Sequence, residues 1–172
     1  MKPIIAATAA AVLLAACQTT PPEPPRATAQ LQPTKGSKAF GEATFEQVGD
    51  KVHVVVFVQG LKPEQEHGLH IHEVGDCSSG DGMSAKGHFN PYAKPHANSA
   101  SAERHAGDLP SLKANKAGRA NVQVDVSGIT VTPGPASIIG RGLIVHADPD
   151  DYKTQPTGNA GARIACGVIQ AG

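Results

Sequence analysis

Seven residues of this chain have the chemistry and the spacing to hold metal ions. His70 and His72 stand two apart. On a β-strand such a pair projects from one face, about 7 Å apart at the Cα atoms, and both imidazoles can grip one ion. A lone His-x-His is a weak signal. Here it is joined by His88, His96, His105 and Asp108 in one polar, glycine-rich segment, and by His146 further on. Six imidazoles and a carboxylate, with no thiol required, suit borderline divalent metals such as copper and zinc. The pair also begins the zinc-hydrolase pattern His-x-His-x-Asp-His. Val74 and Gly75 occupy the places where that pattern needs Asp and His, so the hydrolase reading fails. A chain of this length buries about two thirds of its unfolded surface and needs no metal merely to fold. The histidines therefore ask for a functional explanation.

The elements that must position them read as all-β. Phe40, Glu42, Thr44 and Glu46 alternate with Gly41, Ala43 and Phe45. Val52, Val54, Val56 and Val58 share a face; His53, Val55, Phe57 and Gln59 share the other. That second face is apolar in its middle, so this strand is expected to be central and covered on both sides, with His53 as ordinary strand surface. Ala120 to Val126 alternates again, and Leu143 to His146 and Ala165 to Ile169 are short apolar runs. No segment carries a 3.6-residue stripe of helical length. Short strands at near-regular spacing imply a β-sandwich or flattened barrel. Two long segments break the pattern, about 75–110 and about 147–161. Loops of that length in a compact domain are usually functional.

Composition removes other classes. Fifteen Lys+Arg balance 15 Asp+Glu, and there are four Phe, two Tyr and no Trp. A neutral chain with so few aromatic rings is neither a basic nucleic-acid binder nor a stacking platform for single strands. Nineteen Gly and 14 Pro suit turns and short strands rather than a helical bundle.

The N-terminus reads as an address. Ile4 to Ala16 is apolar except for Thr8, too short to span a bilayer and right for a signal-peptide core over 1–16. Leu14-Ala15-Ala16-Cys17 resembles the lipobox of bacterial lipoproteins, in which the cysteine is acylated and becomes the mature N-terminus. Residues 17–38 carry Pro21, Pro22, Pro24, Pro25 and Pro33 and read as an extended tether from Cys17 to a domain over 39–172. The expected location is the bacterial cell envelope, lipid-anchored and facing the periplasm. Gln18 after the cysteine resembles the outer-membrane pattern.

The motifs together closely resemble the bacterial copper–zinc superoxide dismutase family, from about Phe40 to the C-terminus. They are His67-Gly68-Leu69-His70-Ile71-His72-Glu73, Gly75-Asp76-Cys77, Gly87-His88-Phe89-Asn90-Pro91, Glu103-Arg104-His105-Ala106-Gly107-Asp108-Leu109, Val145-His146, and Gly158 through Ile169. The resemblance implies a Greek-key β-sandwich or flattened barrel. It implies one copper on His70, His72, His88 and His146, and one zinc on His88, His96, His105 and Asp108, with His88 bridging both. Copper would cycle by one electron, converting superoxide to dioxygen and hydrogen peroxide and protecting the envelope. Arg163 resembles the residue that docks the anion, His67 a packed histidine behind the ligands, and Asp150 a carboxylate linking a copper histidine to a zinc histidine. Asp148 and Asp151 compete for that last role. Any attraction of the anion must be local, from Arg163 and from Lys153 in the late loop, the alternative for Lys153 being a plain solvated charge. With Cys17 taken by lipid, Cys77 and Cys166 remain as one disulfide in an exported protein. The expected partners are superoxide and a membrane, with the chain a monomer or a homodimer. The competing function is a non-catalytic copper- and zinc-binding lipoprotein on the same fold.

Overall fold

The structure, a computed structural model, describes residues 22–172. The expected signal peptide over 1–16 and Cys17 lie outside the described residues. The fold is one curled antiparallel sheet. Strands β1 (Arg26–Pro33), β2 (Phe40–Val48) and β3 (Lys51–Gln59) form a meander, and β7 (Ala120–Ser127) pairs with β3. On the other side of β1 lie β9 (Arg163–Val168), β8 (Gly142–His146) and β5 (Leu69–His72), in that order. The short β10 (Gln170–Ala171) also pairs with β1, while β4 (Glu66–His67) and β6 (Leu112–Lys113) pair with each other. The only helical turn among the described residues is a 3₁₀ turn, Met83–Ala85. The chain crosses between the two ends of the sheet three times, from β3 towards β5, from β5 to β7 and from β7 to β8, which is the long-connection topology of a Greek key.

A single core explains the curl. Phe45, Val54 and Val56 from β2 and β3 share one apolar cluster with Leu69 and Ile71 from β5 and Leu143 and Val145 from β8. These strands are far apart in the sheet order, so the sheet must fold over on itself to bring them together.

Two expectations are corrected. The tether does not reach residue 38, because Arg26–Pro33 is a strand with Ala27, Ala29 and Leu31 buried and Thr28, Gln30 and Gln32 exposed. Its flanking prolines conceal it; Pro33 sits at the strand end, where a missing N–H is tolerated. The second face of β3 is not covered either. Val52, Val54, Val56 and Val58 are buried, but Phe57 is exposed and His53 faces solvent beside Asp125, 2.7 Å away. Strand β3 is central in pairing only, and its apolar outer residues meet water.

Candidate metal centre

All four residues of β5 are buried, for two different reasons. Leu69 and Ile71 face the core. His70 and His72 point the other way, under a roof made by the 75–110 loop, which is hydrogen-bonded along the open side of β5. Ile71 N–H donates to the Gly107 carbonyl (2.9 Å), Phe89 N–H to the Ile71 carbonyl (2.8 Å), and Leu109 N–H to the Leu69 carbonyl (3.3 Å). This pairing sets His88 opposite His72 and Asp108 opposite His70. Gly107 is required, since a Cβ there would collide with the Ile71 carbonyl oxygen. His146 arrives from β8, where a register shift after Val145 re-aims it and sets it across from Arg163.

His70, His72, His88 and His146 each bring a ring nitrogen within 4.8 Å of the others. In each ring one nitrogen is already used. His72 Nδ1–H donates to the Lys86 carbonyl (2.8 Å), His146 Nδ1–H to the Gly161 carbonyl (3.3 Å), and His70 Nε2–H to Asp150 Oδ2 (2.7 Å). His88 Nδ1 faces Asp108 Oδ1 at 2.9 Å. The remaining four atoms, Nδ1 of His70 and Nε2 of the other three, are buried with no partner. An unpaired buried polar atom is costly, and four facing one another make a site for a cation that takes nitrogen lone pairs. Burial, the neighbouring imidazoles and the charge of Arg163 hold His72 well below the usual histidine range, and burial and the neighbouring charges do the same for His146. The rings are neutral, as ligands must be.

A second group surrounds Asp108. Its Oδ1 lies 2.9 Å from His88 Nδ1, 3.0 Å from His96 Nδ1 and 3.4 Å from His105 Nδ1, and the His88 and His105 Nδ1 atoms are 3.4 Å apart. A tetrahedral zinc with bonds of about 2.0 Å has donor–donor edges of about 3.3 Å, so these residues fit that ion. His70 also falls within 4.8 Å of His88, His96 and Asp108, but its nearby Nε2–H is committed to Asp150, which leaves His105 as the third nitrogen. Asp108 Oδ2 accepts the backbone N–H groups of Ala97 and His105, fixing the carboxylate. Burial opposes its ionisation, but hydrogen bonds from His105, His88 and His96 outweigh that and hold it well below the usual carboxylate range. His96 resists charge through burial, yet Asp108 and Asp150 bond its two nitrogens and raise it to about 9.

Of the three late-loop aspartates, Asp150 joins the two groups, with Oδ2 on His70 (2.7 Å) and Oδ1 on His96 (2.9 Å). Asp151 closes a local turn with Lys153 and Thr154, and Asp148 is exposed. Lys153 is exposed and unpaired by any ion pair among the described residues. Arg163 is held by the Gly82 carbonyl (2.6 Å) and the Lys86 carbonyl. Lys86 thus receives bonds from both His72 and Arg163, at φ 62° and ψ −145°, a conformation that strains any residue but glycine. His67 is buried with Nδ1–H on the His146 carbonyl (2.9 Å), behind the ligands. Cys77 and Cys166 form a disulfide that ties the loop to β9.

Three further residues position the site; Arg104 and Gly158 lie inside the motifs quoted above, whereas Gln155 lies in none of them. Gln155 clamps the backbone of His96 with both ends of its amide, at 2.8 Å each. Arg104 is buried and donates to the carbonyls of Ser99, His105, Ala106 and Ser127, stapling the loop to β7. Gly158 leaves room for Asp150 and His96.

Residues 39–169 match the copper/zinc superoxide dismutase (SODC) family. The chain belongs to that family. It is 40% identical over 149 residues to copper–zinc superoxide dismutase 2 of Aquifex aeolicus, covering 84% of this chain and 86% of that one. It is 39% identical over 147 residues to the copper–zinc superoxide dismutase of Deinococcus radiodurans, covering 78% and 79%. The crystal structure of the clock protein EA4 superposes with a TM-score of 0.78 at 39% identity, over 89% of this chain and 98% of that one. This copper–zinc superoxide dismutase is therefore an oxidoreductase whose cofactors are copper and zinc and whose substrate is superoxide.

Proposed function

We propose that copper is held by His70 Nδ1 and by Nε2 of His72, His88 and His146, and a structural zinc by His88, His96, His105 and Asp108, one ion of each per chain. The observation that carries this reading is the four buried ring nitrogens, each left without a partner and all within 4.8 Å of one another. Copper, as Cu(II) and Cu(I), supplies the one-electron chemistry that turns two superoxide ions into dioxygen and hydrogen peroxide.

The chain's own residues do the rest. Hydrogen bonds from the second nitrogens of His70, His72 and His146 fix their tautomers and ring orientation before metal arrives. His88 Nε2 is the atom at which the chain stores and releases one of the two protons that peroxide needs, while Nδ1 stays with the Asp108 group. Arg163 docks the anion; its guanidinium is locked by two carbonyls on the side of His72 and His146. The apolar run Ile4–Ala16 and the Leu14-Ala15-Ala16-Cys17 motif support export and acylation at Cys17, with the domain standing in the periplasm on an outer-membrane anchor and removing superoxide at the envelope.

The test uses the chain from Gln18 onward, so that β1 is intact, loaded with copper plus zinc or with zinc alone. Dismutation depends on copper and is inhibited by cyanide. Arg163→Ala lowers its rate constant by at least about tenfold, within the range expected for removing a local steering charge. Both metals bound with no dismutation refutes the reading and leaves a copper-buffering lipoprotein. Radiolabelled palmitate enters the full chain and not Cys17→Ser; equal labelling refutes the anchor.

A further inference from the structure

Arg163 has to be aimed across a gap. Its backbone opens β9, while the carbonyls that hold its guanidinium, those of Gly82 and Lys86, belong to the loop that follows Cys77. Where the guanidinium points therefore depends on how the start of β9 is held against residues 80–86. The Cys77–Cys166 disulfide links the two, but three residues away from both Arg163 and Gly80. The turn after β1 links them directly. Thr34 Oγ1–H donates to the Arg163 carbonyl (2.7 Å), and Thr34 N–H to the Ile164 carbonyl (3.1 Å). The next residue faces the loop, with Lys35 N–H donating to the Gly80 carbonyl (2.7 Å). Two consecutive residues thus pin both ends of the span that Arg163 crosses.

Thr34 is fitted to this place in both branches of its side chain. It is buried. A Cβ built on Gly82 lies 3.1 Å from Arg163 Cβ, 3.3 Å from Arg163 Cδ and 3.6 Å from Thr34 Cγ2, so the Gly82 backbone sits against the stem of Arg163 with the Thr34 methyl close by. A β-branched side chain is stiff at χ1, so seating the hydroxyl on the Arg163 carbonyl also sets the methyl beside Gly82. The hydrogen bonds of Thr34 reach no residue of the proposed ligand set. We propose that Thr34 is a positioning residue for anion docking, which acts through Arg163 by holding the start of β9 and the Gly82 carbonyl at the separation that aims the guanidinium. This inference rests on the docking role of Arg163 proposed above.

The probe is azide, a small monoanion that binds Cu(II), titrated into the copper- and zinc-loaded protein and followed by its charge-transfer absorption. Thr34→Val keeps the shape of the side chain and removes the donor. It weakens azide binding by about three- to tenfold, the range of one net hydrogen bond, with copper and zinc content unchanged. Thr34→Ser keeps the donor and stays within about twofold of the unaltered protein. In an Arg163→Ala background Thr34→Val has no further effect, because a residue that acts only through another falls silent once that one is gone. A merely structural role produces neither this coupling nor the serine rescue. If Thr34→Val does not take up both metals, Thr34→Ala is read by the same criteria, and loss of metal there too overturns the inference in favour of a structural role. Unchanged azide affinity in Thr34→Val while Arg163→Ala weakens it, or equal losses with and without Arg163, overturns the inference and leaves the docking role of Arg163 standing. No loss in Arg163→Ala overturns both.

Discussion

Gly158→Ala isolates the work done by Asp150. Gly158 has φ +66°, and a Cβ built there falls inside contact distance of Asp150 Oδ1 and 2.5 Å from His96 Nε2. The carboxylate that joins His70 to His96 must leave. Gly161 is the matched control. It has φ +75°, and its Cβ meets Asp148 Oδ2, the free end of an exposed side chain that can swing away. Both substitutions put alanine in the left-handed region, at a cost of about 1–2 kcal/mol. Only Gly158→Ala also breaks a buried charge-assisted bridge, which costs about 3–5 kcal/mol more. For a domain of this size each kcal/mol moves the melting temperature by about 2–4 °C. Calorimetry of the metal-free protein therefore shows Gly161→Ala down by roughly 2–8 °C, and Gly158→Ala lower still by a further 6–20 °C or so. If the two variants melt within about 2 °C of each other, Asp150 yields at no cost and the bridge is not what holds the groups together.

The metal-free protein is most stable near pH 6.5. His96, raised to about 9, contributes stability that is complete below 6.5 and lost as pH rises through 9; His88, lowered by burial to about 4, contributes stability present above 6.5 and lost as pH falls towards 4. Calorimetry across this span checks both limbs, and a flat alkaline limb refutes the His96 bonding. Replacing both Cys77 and Cys166 by serine removes a link between positions 89 residues apart, which the chain-entropy relation values at about 4.6 kcal/mol; a loss under about 1 kcal/mol in denaturant unfolding sinks that account. Lys86→Gly keeps the carbonyl that serves His72 and Arg163 and relieves the backbone, so stability rises by about 1–2 kcal/mol with metal affinity unchanged. A lower melting temperature refutes the strain.

The metal centre was legible because its residues are rare types at fixed spacing. His70 and His72 declare a strand face by themselves, and the run from His88 to Asp108 declares a loop that returns to it. Strand β1 was hidden because its buried positions are mostly alanine, between prolines that argue for a tether. The exposure of Phe57 could not be read from alternation, since periodicity shows that a strand has two faces and not what lies over each. Asp150 could not be separated from Asp148 and Asp151, because a turn decides which of three near neighbours points inward. Gln155 and Arg104 act on backbone carbonyl and amide groups brought near by the path of distant loops. No side-chain pattern encodes such a partner in advance.

The loop seated along β5 has a consequence beyond chemistry. Strand β5 ends the ordered run of the sheet, and the backbone of residues 87–109 occupies its outer side. An uncovered strand of this kind is a template on which another chain can add itself. The same segment that carries His88, His96, His105 and Asp108 thus covers an edge open to self-association, held down by the disulfide, by Arg104 and, on the proposed ligand set, by the metal ions. On that ligand set, demetallation or reduction would loosen this cover, and solubility would then follow metal content through one element.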